Sequence, residues 1–95
     1  MAELHFDWDE TKNLANQRKH GVSFEEAQTT FTDEFGLLIH DPDHSEHEDR
    51  FVFMGLSASL RLLVVCHCHR DGDAIVRIIS ARKANRRERS MYSQR

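Results

Sequence analysis

The chain has 95 residues, of which 39% are hydrophobic and 31% charged, and its formal net charge is −3. This balance is typical of a folded protein and excludes a disordered one. The length predicts a single domain over residues 1–95, small enough that a partner subunit often helps to stabilise it. No apolar run approaches the ~20 residues that span a bilayer. The acidic N-terminus, MAELHFDWDE, carries no signal-like apolar stretch, so we expect a cytoplasmic protein.

The charges are divided unevenly along the chain. Residues 1–69 contain 5 Lys and Arg against 13 Asp and Glu, whereas residues 70–95 contain 8 against 3. An asymmetry of this kind suggests an anionic partner for the C-terminal part of the chain.

The first predicted helix covers the segment DETKNLANQRKHG. Asp7 or Asp9 is a suitable N-cap, and Gly21 suits the left-handed residue that follows a helix. The segment is polar on most sides, so we expect Phe6 and Trp8, just ahead of it, to anchor it to the rest of the protein.

A second helix is predicted in VSFEEAQTTF. Ser23 and Glu26 have the spacing of a capping box, in which each side chain bonds the other residue's backbone N–H. Phe24, Ala27 and Phe31 then fall on one face of the helix and are expected to pack.

After residue 34 the spacing of hydrophobic residues changes from helical to strand-like. Strands are predicted at 35–40, 50–57, 61–69 and 74–80. The turn segments SAS and DGD are short enough for antiparallel hairpins, and a consecutive meander is the simplest topology. Ser80 is then a candidate cap for a last helix from about residue 81 to 92. The order predicts an α+β fold with two N-terminal helices, an antiparallel sheet of three to four strands and a C-terminal helix.

Two histidine-rich segments contain residue types that can bind a metal ion. The segment HDPDHSEHED at 40–49 has no helical frame to make its ligands converge and is predicted to be an exposed loop. In CHCH at 66–69, the two cysteines and the two histidines of a strand face opposite ways, so they cannot close on one zinc ion. We therefore predict no metal or other cofactor, and reduced cysteines. His69 is a candidate proton-transfer group, with an ordinary strand histidine as the alternative.

The arginines near the C-terminus indicate a bound anion. Arg77 interrupts an apolar strand, Arg70 lies at a turn beside it, and Arg82 is predicted in the first turn of the last helix, where the helix dipole disfavours a cation. A shared phosphate would explain all three positions, because guanidinium groups bind phosphate through two parallel hydrogen bonds. Trp8 is either a core anchor or a platform for base stacking. The remaining arginines of this region fit a solvated helix face or a partner surface: Arg86, Arg87, Arg89 and Arg95.

Together, three segments resemble the BrnT-type toxins of bacterial type II toxin–antitoxin modules. They are FDWDETKNLANQRKHGVSFEEA at 6–27, the pattern D…E.RF…G between Asp43 and Gly55, and RIISARKANRRERSMY at 77–92. Each alone is a weak signal, whereas the three in this order are specific.

The resemblance implies a RelE-like fold and an endoribonuclease that needs no metal and inhibits translation. It also implies neutralisation by a BrnA-type antitoxin, whose ribbon-helix-helix domain binds operator DNA, in a complex that could contain a toxin homodimer within a heterotetramer. In such a reaction a 2′-hydroxyl attacks its own phosphate, so the protein must stabilise charge and transfer protons. We expect Arg70, Arg77 and Arg82 to hold the phosphate and Trp8 to stack a base. The other residues that the resemblance brings to the site are Lys12 and Lys19 for substrate binding and His20 or Glu25 for proton transfer. His69, a candidate from its own position in the chain, is the third residue that could transfer protons.

Two further functions from other classes stay open at this point. A non-catalytic nucleic-acid-binding module would use the same arginines to hold backbone phosphate. A structural subunit would exist only to pair with its partner. Salt-sensitive binding without strand cleavage would favour the first, and no affinity for nucleic acid would favour the second.

Overall fold

The computed structural model describes residues 4–41, 50–72 and 74–94. In these ranges, five strands and three α-helices follow one another, with a 3-10 turn at Thr30–Thr32 after the second helix. The elements in chain order are β1 (His5–Asp7), α1 (Glu10–His20), α2 (Phe24–Thr29), β2 (Leu37–Asp41), β3 (Arg50–Leu56), β4 (Leu62–Arg70), β5 (Ile75–Lys83) and α3 (Arg86–Ser93).

The strands form one mixed sheet in the order β1-β5-β4-β3-β2. Strands β2 to β5 are the predicted antiparallel meander. The prediction of three to four strands in a purely antiparallel sheet is wrong in one respect, because β1 adds a fifth strand parallel to β5. β1 has only three residues, too few for a recognisable period, and its partner lies 70 positions along the chain, at register Asp7↔Arg77.

The caps of the two N-terminal helices follow the sequence closely. The Asp9 side chain accepts hydrogen bonds from the backbone N–H groups at the start of α1, and Gly21 ends the helix with a φ of 69°. Ser23 caps α2 by accepting from the N–H of Glu26. The predicted capping box is only half formed, because the Glu26 carboxylate instead accepts hydrogen bonds from Ser57 and Arg61.

One side of the sheet, the helix face, is covered by α1 and α2. Phe24 and Ala27 are fully buried there, and Phe31 packs against the same core, as their spacing predicted. Phe6 and Trp8 also pack against this core. The sheet contributes Leu63, Val65, Ile78 and Ala81 to it.

Helix α1 contains two buried asparagines, and Asn16 joins it to the sheet. Leu14 is 49% exposed, whereas Asn13 is 0% and Asn16 7% exposed. Asn16 donates from Nδ2 to the carbonyl oxygens of Val22 and Ala81, each at 2.8 Å, and accepts from the N–H of Ala81. A polar helix can therefore dock on an apolar sheet because its amides satisfy buried backbone groups.

The last helix begins later than predicted. β5 continues through Lys83, so Ser80 lies within a strand and does not cap a helix. Asn85 is the N-cap of α3 and forms a complete capping box with Glu88. The SARK segment has no strand-like alternation of apolar residues, but its backbone pairs with β4 from register Val65↔Ala81 onward, and this pairing extends the strand.

We expect the variant Asn16→Ala to be destabilised by about 2–4 kcal/mol, because two buried carbonyl groups and one buried N–H lose their partner. Urea unfolding measures this change. Arg18→Ala, on the exposed side of the same helix, is the matched control and should change stability by less than about 0.5 kcal/mol. Equal stabilities of the two variants would show that Asn16 does not hold α1 to the sheet.

Candidate nucleic-acid interface

A β-bulge in β5 decides which side chains share the side of the sheet opposite α1 and α2, called here the outer face. Cys66 of β4 pairs with Ser80 and His67 pairs with Ile78, so Ile79 is an extra residue in β5. Side chains alternate along a regular strand, and residues five apart would point to opposite faces. The bulge restores a common side, so that Arg77 and Arg82 both lie on the outer face.

Four arginines belong to the outer face by strand register. Arg77 and Arg50 both pair with Cys68, from the two sides of β4, and Arg82 pairs with Val64. Arg70, at the exposed end of β4, alternates onto the same face. The outer face therefore concentrates positive charge from three different strands. The described part of α3 covers only one end of it, around Met54, Val64 and Ala84.

Arg77 is joined to the first strand by an ion pair. Its Nη1 donates to Oδ1 of Asp7 at 3.1 Å, and the side chains are 32% and 46% exposed, respectively. The pair is open to solvent and therefore contributes little to stability. It places a carboxylate and a guanidinium side by side at one edge of the outer face.

Arg82 is in a strand and not, as predicted, in the first turn of a helix. Its two terminal nitrogens donate to the two carboxylate oxygens of Glu88 at 2.7 and 2.9 Å. These hydrogen bonds lower the pKa of Glu88 below its ordinary value of 4.5 and raise that of Arg82. The guanidinium thus already forms the bidentate hydrogen bonds that a phosphate would accept.

A cavity of about 290 Å³ opens on the outer face beside Arg82. Its polar lining comes from two arginines and a serine, and its remaining lining is apolar apart from one thiol. The lining residues are Arg50, Val52, Val64, Cys66, Ile79, Ser80 and Arg82.

His69, the candidate proton carrier, lies on the helix face although it is next to Arg70 in the chain. Its ring packs against Phe51 at 5.0 Å and against His67 at 5.1 Å between ring centroids. His67 is fully buried, with its ring edge-on to Phe31, and burial lowers its pKa to about 4. The structure therefore places this histidine pair in an aromatic cluster on the side away from the arginines.

The other predicted site residues also lie on the helix side of the molecule. Lys12 and Lys19 are exposed on α1, and His20 is the half-buried last residue of that helix. Glu25 is exposed in the first turn of α2 and accepts a hydrogen bond from Asn13 at 2.8 Å. The structure brings Arg70, Arg77 and Arg82 together on the outer face. The two lysines, the histidine and the glutamate lie away from these arginines, on the helix side.

Trp8 lies in the position of a core anchor. Its ring meets Phe24 edge-on at 6.1 Å, and its Nε1 donates to Glu10 at 3.1 Å. Since the indole is held by both contacts on the helix side, it does not form a stacking platform beside the arginines of the outer face.

Sequence reasoning missed three charged residues of the outer face: Arg50, Asp7 and Glu88. Arg50 is the first residue of β3. Only the strand register, which pairs it with Cys68, shows that it belongs to the outer face. In the sequence, Asp7 is a candidate helix cap, and Glu88 falls within the predicted last helix. Their spacing in the chain carries no signal, because strand pairing and a helix end bring them to the arginines.

Of the segment predicted as an exposed loop, residues 42–49 lie outside the described residues, as does Arg95. Within the described ranges, no three His, Cys, Asp or Glu side chains converge as metal ligands would. The same ranges contain no helix that is both long and apolar enough to cross a membrane.

Within the described residues, a mixed sheet with two helices on one face, and with arginines and a cavity on the other, defines a small α+β protein. Residues 8–88 match the family described as "Ribonuclease toxin, BrnT, of type II toxin-antitoxin system", and the chain belongs to this family. The resemblance seen in the sequence is thereby confirmed. It makes the protein the toxin component of a type II toxin–antitoxin system, for which the family implies ribonuclease activity, an RNA substrate and a protein antitoxin.

A solved structure with a similar fold is that of the Brucella abortus ribonuclease toxin, BrnT. The TM-score is 0.62 and the sequence identity 23%, over 88% of this chain and 100% of that chain. At this level of identity, the similarity shows a similar fold. A comparison with curated proteins gave no match.

The buried His67 predicts a loss of stability in mild acid. Its pKa is about 4 in the folded protein against an ordinary 6.5, so the unfolded chain binds more protons between these values. Stability should therefore fall by up to about 3 kcal/mol as the pH drops from 6.5 to 4. The carboxylates whose pKa is lowered, Glu26 and Glu88, lose their contribution only at lower pH, below about 4.5.

Urea unfolding at several pH values between 7 and 4 measures this dependence. The variant His67→Leu should show a clearly flatter profile, whereas His5→Leu, at an exposed position, should follow the original protein. A His67→Leu profile that is as steep as the original would contradict the assignment.

Proposed function

We propose that the protein is an endoribonuclease that cleaves RNA without a metal ion and thereby inhibits translation. In this reaction the 2′-oxygen of a ribose attacks the adjacent phosphorus, and the bond to the 5′-oxygen of the next nucleotide breaks. The observation that carries the proposal is the pair Arg77 and Arg82, which the β-bulge places on one open face.

These two arginines suit the charge that develops in the reaction. The phosphorane-like transition state carries more charge on its non-bridging oxygens than the starting phosphodiester. Guanidinium groups that are already fixed in place stabilise this charge without reorganising. Arg82 is held by Glu88 and Arg77 by Asp7, so both groups are oriented before RNA arrives.

Proton transfer requires a base close to the reacting phosphate. His69, His20 and Glu25 lie on the helix side, away from Arg77 and Arg82. Among the described residues, the carboxylates beside these arginines are Asp7 and Glu88, and we propose Asp7 as the group that accepts the 2′-hydroxyl proton. The leaving 5′-oxygen would take a proton from water, and the arginines would supply most of the rate enhancement by stabilising the charge of the transition state.

Lys12, Lys19 and His20 keep a secondary role in this proposal. Since α1 lies behind the sheet, these side chains would reach RNA only where the strand passes around the edge formed by β1. They would add electrostatic attraction that is sensitive to salt, without touching the reacting phosphate.

The proposed partner is a BrnA-type antitoxin with a ribbon-helix-helix domain, through which the complex would bind operator DNA. An antitoxin that covers the outer face would remove the arginines from RNA and so inhibit cleavage by occlusion. A heterotetramer built on a toxin dimer is the stoichiometry we expect for this complex, located in the cytoplasm.

Purified, antitoxin-free protein should cleave end-labelled RNA in excess EDTA and leave 2′,3′-cyclic phosphate ends. Arg77→Ala should lower kcat by about 10²–10³-fold, because one fixed donor to the transition-state oxygens is lost. Arg86→Ala, an exposed arginine of α3, is the control for loss of positive charge alone. The kinetics of RNA cleavage and the chemistry of the ends decide the outcome.

Cleavage that EDTA abolishes would contradict the metal-independent mechanism. Salt-sensitive RNA binding without cleavage would instead make the outer face a binding surface only. Identical activity of the Arg77→Ala and Arg86→Ala variants would remove Arg77 from the reaction.

Occlusion by the antitoxin makes a separate prediction. The purified toxin–antitoxin complex should be inert toward RNA, and proteolytic removal of the antitoxin should restore cleavage. The same RNA assay, run with matched toxin concentrations, measures both states. Equal activity of the complex and the free toxin would contradict the occlusion mechanism.

A further inference from the structure

The cavity on the outer face has the lining of a nucleotide site. Val52, Val64 and Ile79 provide an apolar surface of the kind on which a nucleobase can lie. Two cavity residues, Arg50 on β3 and Arg82 on β5, supply positive charge from strands on either side of β4. Pockets of this composition, apolar with a few convergent polar groups, are typical of small-ligand sites.

The size of the cavity limits what it can hold. Its volume of about 290 Å³ is just below the range of roughly 300–1,000 Å³ for small-molecule sites. A single nucleotide suits this space, whereas a longer RNA segment would have to continue over the open outer face toward Arg77.

Glu88 shows how an anion is held at one side of the cavity. Its two carboxylate oxygens receive hydrogen bonds from both terminal nitrogens of Arg82 at 2.7 and 2.9 Å. A phosphate has the same pair of acceptor oxygens and can occupy the same two donors. Glu88 is therefore an intramolecular anion that a phosphate must displace or share, and it lowers the apparent affinity of the site.

We infer that this cavity is a subsite for one nucleotide of the RNA, with its base on the apolar surface and its phosphate between Arg50 and Arg82. The inference rests on the proposed function and adds a residue, Arg50, and a competing carboxylate, Glu88, to the substrate site. Ser80, whose hydroxyl also lines the cavity, adds a donor for the sugar or the phosphate.

Binding of nucleoside 3′-monophosphates and of inorganic phosphate to the full-length protein, measured by calorimetry at low salt, tests the subsite without any cleavage step. The nucleotides should bind more tightly than phosphate because the base contributes apolar contacts. Arg50→Ala should weaken nucleotide binding about 10–100-fold, as expected when hydrogen bonds to a charged group are lost. Arg86→Ala is the matched control and should bind as the original protein does.

Glu88→Gln tests the competing carboxylate. Glutamine keeps the side-chain acceptor for the N–H of Asn85, so the cap of α3 is preserved. This variant should bind phosphate and nucleotides several-fold more tightly, since the anion is removed from Arg82. Urea unfolding of each variant establishes that it is folded.

The results distinguish this inference from the proposed function. If the original protein cleaves RNA but Arg50→Ala binds nucleotides unchanged while folded, the subsite is wrong and the ribonuclease proposal stands. If nucleotide binding depends on Arg50 but no RNA is cleaved, the subsite stands and the ribonuclease proposal fails. Equal affinities for phosphate and nucleotides would overturn the base-binding surface, and unchanged affinity in Glu88→Gln would overturn the competition.

Discussion

The single extra residue in β5 is the constraint on which the outer face depends. Ile79 shifts the alternation of the strand, so that Arg77 and Arg82 point the same way although they are five positions apart. Without the bulge, both Arg82 and the core residue Ala81 would be on the wrong side of the sheet relative to Arg77. Bulges are common beside functional sites for this reason, because they re-aim a side chain without breaking the strand.

The helix layer keeps the outer face available by binding the opposite side of the sheet with polar as well as apolar contacts. Asn16 satisfies backbone groups of Val22 and Ala81, and Arg61 forms an ion pair with Glu26 across the same layer. Because the two helices are held there, the arginines lie on the opposite side of the sheet, where, in the part of the chain that the structure describes, α3 packs over one end. The same division places His67 and His69 in an aromatic cluster, where burial keeps His67 uncharged at neutral pH.

Local signals in the sequence were reliable where a short segment contains all the information. The cap at Asp9, the left-handed Gly21 and the meander of four strands are examples, since each depends on neighbouring residues or short turns. Signals failed where tertiary pairing overrode local preference. β1 was too short to be recognised, and the SARK segment joined the sheet because β4 offered it hydrogen-bond partners.

The sequence by itself determined the α+β class and the family, because motifs and residue types can be read without coordinates. It also predicted Arg70, Arg77 and Arg82 as site residues. Only the tertiary structure decided which residues share a face. Strand register and the bulge bring Arg50 and Arg82 to one cavity and Asp7 to Arg77, and they leave His20, Glu25 and His69 on the opposite side. Side-chain direction in a sheet changes with every residue, so one inserted position, invisible in the chain, determines the composition of the site.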